Sequence, residues 1–274
     1  MMRDFHRPGR SPVLARDGMA ATSHPLATLA AVEVLRAGGT AADAAVTAIA
    51  MLGVIEPHMT GIGGDCFCLV AKPGAPVWGY NGSGRAAAAM RAETLLAQGV
   101  REIAQDSIHA VTVPGSVEAW AATLRAHGRF GLDRALAPAI AAAENGYPVT
   151  PRIAHDWSLA VERLRADPGG TRHYLPGGKA PAVGDLIRLP ALAATLKAIA
   201  MHGPRGFYQG AVAEDIAATI KARGGLVDAA DLAAHCGEAV AAISSNYRGA
   251  RCGGAAAERA GARGLGAVEH SRRI

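Results

Sequence analysis

The chain has 274 residues, 50% hydrophobic, 19% charged and 4% aromatic, a composition that excludes disorder along the whole length and provides for one large domain or two ordinary ones. Its net charge is +5, yet residues 250–274 hold five Arg against two Glu, so the remaining body is too nearly neutral for a nucleic-acid surface. The stretch Met1 to Gly18 carries Arg3, Arg7, Arg10 and Arg16 with no apolar run behind them, and the longest apolar run, Ala44 to Ile55, falls short of the roughly 18 residues of a membrane span; a cytoplasmic protein with no membrane partner is expected.

Residues 1–18 read as an N-terminal arm, 19–249 as one folded body and 250–274 as a disordered tail. In the body, Leu26, Leu29, Ala30, Val32 and Val34 recur among Thr28, Glu33 and Arg36, with Thr22 and Ser23 as capping candidates and Gly38-Gly39 as the stop. This predicts an amphipathic helix over Pro25 to Ala37. Thr40 to Ile55 predicts a second helix, with Asp43 near its positive end and a small-residue face, so the two form a helical hairpin. The Gly-rich turn Gly61 to Gly64 leads into a strand over Cys66 to Ala71, and Pro73-Gly74 turns the chain into a partner strand over Val77 to Tyr80. From there to Gly249 the pattern reads as mostly helical, punctuated at Pro114-Gly115, Gly146, Pro168-Gly169-Gly170 and Pro176-Gly177-Gly178.

Chemistry-bearing motifs are sparse. Gly61 to Gly64 could cradle an anion, but Cys66 stands where a dinucleotide fingerprint needs its third Gly, so a packing turn or a loop facing an acyl substrate fits better. His24, His58, His109 and His155 have no metal-ligand spacing, and Cys66, Cys68, Cys236 and Cys252 give no disulfide or metal framework; no metal and no cofactor are expected. Ser83 in Gly82-Ser83-Gly84 is half of a nucleophile elbow and reads better as a turn residue. Arg85, just after the strand pair and flanked by Gly84 and Ala86, is the candidate substrate-binding residue: its planar fork suits a carboxylate, the alternative being a solvated loop arginine.

The run Ala21 to Ala27, then Leu35 to Val46, then Gly53-Val54-Ile55-Glu56-Pro57-His58 to Gly64 resembles the opening of the γ-glutamyltransferase family. Val113-Pro114-Gly115-Ser116-Val117, Gly206 to Gly210, Gly224 to Val227 and Asn246-Tyr247-Arg248-Gly249 extend the likeness over roughly Arg10 to Gly249, the earlier part of that family's large subunit. The resemblance implies an α/β (α+β) N-terminal nucleophile hydrolase with four α/β/β/α layers, incomplete without its small subunit. It also implies a proenzyme whose nucleophile is the first Thr of that subunit, acting with its own α-amine as base. No catalytic residue is therefore expected in this chain, which alone should be inactive. The small subunit is the missing partner, and a γ-glutamyl or related small-molecule amide is the substrate of the intact parent.

The family's segment Asp-Phe-Arg-Glu-x-Ala-Pro holds the substrate α-carboxylate through its Arg. Here Asn81 to Ala87 puts Ser83 at that position and Arg85 two residues later, on the same side of an extended backbone. Either Arg85 serves from a shifted register or the acyl group differs from γ-glutamyl. Gly64-Asp65-Cys66 likewise looks like the amidase and acylase branch, which takes oxamate- or cephalosporin-type substrates. A non-catalytic remnant, or a product paired with a separately encoded small subunit, is the third alternative. Residues 250–274 are expected to be a frameshifted version of the family's continuation, because a one-base shift can restore Pro-Pro-Asn-Gly-Gln-Gly and a following helix.

Overall fold

The computed structural model describes residues 12–254. Helix α1 (Pro25–Arg36) and helix α2 (Ala41–Ile55) form the expected hairpin. In α1, Ala27, Ala30, Ala31 and Val34 fall at helical spacing on one face and are buried, while Leu29 on the other side is exposed. Its N-cap is His24 rather than Thr22 or Ser23: the Leu26 N–H donates to His24 Nδ1 at 3.1 Å, and Pro25 follows at the first helical position, where no N–H is needed.

Helix α2 is buried nearly all round, from Ala42 to Ile55. It packs on α1, on α4 (Ser116–His127) and on α5 (Leu132–Asn145). Its small side chains let these neighbours approach closely, and its polar end is closed by Asp43. That carboxylate is fully buried and accepts from Thr40 N (2.7 Å) and Thr40 Oγ1 (2.8 Å) in a capping box. It also accepts from Arg129 N (3.0 and 3.1 Å) and Phe130 N (3.0 Å) in the α4–α5 turn. One side chain thus joins two helix ends.

Strand β1 (Cys66–Val70) pairs antiparallel with β2 (Trp78–Gly82), as the apolar, β-favouring run and the Pro73-Gly74 turn foretold. After β2 the chain forms α3 (Ala92–Ala97) and then α4 and α5. Next come the short strand β3 (Tyr147–Pro148), helices α6 (Pro151–Leu159), α7 (Val161–Arg165) and α8 (Pro168–Tyr174), and strand β4 (Leu186–Ile187), which pairs with β3. Helices α9 (Pro190–His202), α10 (Arg205–Tyr208), α11 (Ala211–Ala222) and α12 (Ala229–Ala233) complete the helical layer. Its core includes Trp120, Leu136, Tyr147, Ile153, Leu196 and Phe207.

Two expectations are corrected. The stretch read as helical up to Gly249 contains β5 (Glu238–Ala241), which pairs antiparallel with β2 and makes the sheet three-stranded in the order β1-β2-β5. Glu-Ala-Val-Ala has little β propensity of its own, so its strand conformation comes from pairing with β2. The tail expected to be disordered from 250 begins instead as β7 (Ala250–Gly254), paired with β6 (Ile243–Tyr247) across Arg248-Gly249. Both loop residues have positive φ, 49° and 83°, the two-residue turn whose twist matches a hairpin. Residues 255–274, and the reading of them as frameshifted, lie outside the described residues, as do residues 1–11 of the expected arm.

One face of the sheet carries Cys66, Cys68, Trp78 and Tyr80 and packs on Ala119 and Ala122 of α4. On the opposite face Phe67 and Leu69 are each 42% exposed, which is unusual for adjacent large apolar residues at the centre of a strand. The fold is thus mixed α/β, with a helical layer behind one sheet. Among the described residues no helix is long and apolar enough to cross a membrane.

Candidate functional site

Three backbone segments meet at the end of the sheet: the Gly-rich turn with Asp65, the loop leaving β2, and the Val113-Pro114-Gly115 entry into α4. Gly64 O accepts from Gly115 N (3.0 Å), Ser116 N (2.9 Å) and Ser116 Oγ (2.6 Å). Asp65 Oδ1 accepts from Gly84 N at 2.8 Å, and Val113 N donates to Arg85 O at 3.0 Å. The approach is so close that a Cβ on Gly84 would lie 1.5 Å from Val113 O, and one on Gly115 would lie 2.0 Å from Gly82 O. Only glycine fits at these crossings. The Gly61 to Gly64 turn therefore packs the sheet onto α4.

The outcome is a rigid backbone under Arg85. Its side chain is exposed at a cavity of about 430 Å³ lined by Asn81, Ser83, Gly84, Arg85, Ala86, Cys236, Gly237 and Glu238. Ser83 and Arg85, two residues apart, do share one site. The Ser83 N–H donates to Asn81 Oδ1 at 3.1 Å, which sets the bend out of β2. No carboxylate among the described residues pairs with the Arg85 guanidinium, in contrast to Arg165 (Nη1 to Glu162 Oε1, 2.7 Å) and to Arg223, which pairs with Asp167. An unpaired guanidinium at the edge of a concave surface can take a carboxylate through two N–H donors.

Beneath the cavity lies a polar cluster absent from the sequence reading. Glu118 of α4 accepts from Tyr80 Oη (2.5 Å) and from Gly237 N (3.2 Å) on the same Oε2, and lies 3.7 Å from Arg125. The Tyr208 hydroxyl donates to Pro114 O (2.8 Å) and accepts from Glu118 N (3.2 Å). The His235 ring lies 5.3 Å from that of Tyr208, tilted by 33°. Burial, and to a lesser degree the positive charge of Arg85, hold the His235 pKa below the ordinary imidazole value against the pull of Glu118 and Asp65. Burial also raises the hydroxyls of Tyr80 and Tyr208, and pushes the Cys66 thiol up to about 11, so that thiol is a packing group and a poor nucleophile. The sequence signal for Glu118 was available: a lone acid inside the apolar run Val117 to Leu124 must either face solvent or find buried donors.

The other sequence candidates lie elsewhere. His24 caps α1, and His58, 3.6 Å from Asp156 Oδ2, belongs to a separate surface hollow with Arg152 and Arg163. His109 sits in a single 3-10 turn, Ile108–Ala110, and His155 in α6. Among the described residues no three His, Cys, Asp or Glu side chains gather as metal ligands, and the cysteines are free.

The helical layer packed behind the three-stranded antiparallel sheet, with a hollow at the sheet's end, fits one half of the α/β/β/α layering that the family resemblance implies for an N-terminal nucleophile hydrolase. The chain belongs to the γ-glutamyltranspeptidase family: the family model described as Gamma-glutamyltranspeptidase matches residues 27–268, which takes in much of the stretch read as tail. It is 39% identical over 224 residues to an oxamate amidohydrolase proenzyme of Klebsiella pneumoniae, covering 80% of this chain and 42% of that protein. The crystal structure of a cephalosporin acylase from Bacillus halodurans superposes with a TM-score of 0.80 at 38% identity, over 90% of this chain and 48% of that one. The γ-glutamyltranspeptidase of Helicobacter pylori gives a TM-score of 0.85 at 30% identity, over 91% of this chain and 72% of that one. The chain spans less than half the length of the curated relatives it matches.

Proposed function

We propose that this chain forms the carboxylate-binding part of an enzyme that hydrolyses or transfers the acyl group of a small amide, with Arg85 holding a carboxylate of the acyl donor. The observation that carries the reading is the Arg85 guanidinium, paired with no carboxylate among the described residues, in a cavity whose backbone is locked by Gly84 and Gly115. The nucleophile in this reading is the N-terminal Thr that the family resemblance implies in its small subunit. The exposed sheet face of Phe67 and Leu69 is then the surface that the family's second sheet covers.

A second observation favours an amidohydrolase or acylase over a strict γ-glutamyl enzyme. On a gap-free reading of the resemblance Ser83 falls at the family's Arg position, with Arg85 in the same cavity, and identity to the oxamate amidohydrolase (39%) and the cephalosporin acylase (38%) exceeds that to the H. pylori γ-glutamyltranspeptidase (30%), with a glutathione hydrolase-like protein of Bacillus subtilis at 37% beside them. The test is to join this chain to the complementary subunit and assay γ-glutamyl amides beside monoamides of plain dicarboxylic acids. Turnover of the latter at least as fast as the former supports this branch; strict dependence on the α-amino group overturns it.

A further inference from the structure

We infer that Glu118 is the positioning residue that sets the width of the Arg85 cavity, an inference that rests on the reading of Arg85 as a carboxylate holder. The cavity has two walls. One is the loop leaving β2, with Asn81, Ser83 and Arg85; the other is Cys236, Gly237 and Glu238, leading into β5. They come from segments far apart in sequence, and Glu118 of α4 holds both. Its Oε2 accepts from Tyr80 Oη, one residue before Asn81, and from the Gly237 N–H in the opposite wall.

Gly237 is pressed into this clamp without room for a side chain. A Cβ there would lie 2.7 Å from Tyr80 Cε1, 2.8 Å from Asn81 O and 2.9 Å from Glu118 Oε2. The β2–β5 pairing that could otherwise hold the walls together ends at Asn81 and Glu238. Beyond it, where Ser83, Arg85 and Cys236 line the same cavity, the Gly237 N–H bond to Glu118 ties one wall to α4, while the Ala88 N–H bond to Asp231 Oδ1 (2.9 Å) ties the loop leaving β2 to α12 further from the cavity. Arg125 contributes little, because its side chain is 70% exposed and 3.7 Å away. The element that matters is therefore a carboxyl or amide oxygen at this position rather than its charge: Glu118→Gln keeps an acceptor for both donors, whereas Glu118→Leu keeps the bulk and loses it.

The experiment uses the full chain labelled with ¹⁵N, with glutarate as the probe. Two quantities are read by NMR: the glutarate Kd, and the hydrogen-exchange rate of the Gly237 amide. Glu118→Leu should speed Gly237 exchange and raise Kd about tenfold or more, the equivalent of one lost charge-assisted hydrogen bond. Glu118→Gln should stay within about twofold on both measures, because the acceptor survives. Tyr80→Phe, a nearly isosteric change, guards against a Leu variant that does not fold and should raise Kd about threefold as one of the two ties is lost. Arg85→Ala should abolish binding and leave Gly237 exchange unchanged.

If Glu118→Leu and Tyr80→Phe bind glutarate as the parent does while Arg85→Ala does not, the positioning role is wrong and the carboxylate reading stands. If Gln weakens binding as much as Leu, charge rather than wall geometry is responsible and the inference fails. If neither the parent nor any variant binds, the reading of Arg85 falls, and unchanged Gly237 exchange in the Leu variant would remove the clamp as well.

Discussion

Replacing Asp43 by Ala removes the one acceptor that, among the described residues, three backbone N–H groups have, those of Thr40, Arg129 and Phe130, at 2.7–3.1 Å. A hydrogen bond to a charged acceptor contributes about 1.5–3 kcal/mol, and a buried donor left unpaired costs a similar amount. Arg129 is exposed and the other two are half-buried, so water recovers part of the loss, and a net destabilisation of about 3–5 kcal/mol is expected. With a urea m-value of about 3 kcal/mol/M for a chain of this size, the midpoint should fall by roughly 1–1.7 M. Asp43→Asn retains one acceptor oxygen and should lose about 2–3 kcal/mol.

The pH signature separates this from simple cavity formation. Burial works to raise the Asp43 pKa, but the Thr40, Arg129 and Phe130 N–H donors and the Thr40 hydroxyl outweigh it and hold it below the ordinary value. A depressed folded pKa gives stability that is present above the unfolded value of about 3.9 and is lost as pH falls through the folded one. The gap between parent and Ala variant should therefore narrow below about pH 4. A loss under about 1 kcal/mol, or a gap indifferent to pH, would show that the Asp43 carboxylate does not tie the two helix ends together.

Burial holds the pKa values of His24, His58, His127 and His235 below that of a free imidazole. The unfolded chain then takes up protons first, so the thermal midpoint should fall as pH drops below about 6.5 and level off beneath the folded values; a flat or rising midpoint from pH 7 to 5 would contradict this. Asp167 caps α8 through Gly169 N and Gly170 N and pairs with Arg223, which first among its contacts brings its pKa to about 2. Because both side chains are 38% exposed, Asp167→Ala should cost only about 1 kcal/mol in urea unfolding, a cost that disappears as pH falls through about 2. Gly84→Ala should cost at least about 3 kcal/mol, since the new Cβ meets Val113 O, and a parent-like urea midpoint would show that the backbone crossing is looser than described.

Where local chemistry dictates structure, it was legible. Apolar spacing and Gly38 delimit α1, Thr40 and Asp43 form the capping box that starts α2, and Pro73-Gly74 turns β1 into β2. What escaped depends on partners distant in sequence. Glu238 to Ala241 becomes a strand because β2 offers an edge, and Ala250 to Gly254 does so because Arg248 adopts a left-handed backbone that arginine seldom takes. At the candidate site, Arg85 was singled out through its glycine neighbours and its likeness to a motif. Glu118, His235 and Gly237 were missed because they converge only when α4, α12 and β2 pack together.

The central claim is that Arg85 holds a carboxylate of the acyl donor. It is tested most directly on the chain joined to the complementary subunit that the proposal calls for, by comparing kcat/KM of the parent and Arg85→Ala for an amide carrying a free carboxylate and for the methyl ester of the same amide. A loss of about 10- to 150-fold is expected for the free carboxylate, matching about 1.5–3 kcal/mol for a charge-assisted contact, and almost none for the ester. An equal loss on both substrates, or no loss on either, would contradict it.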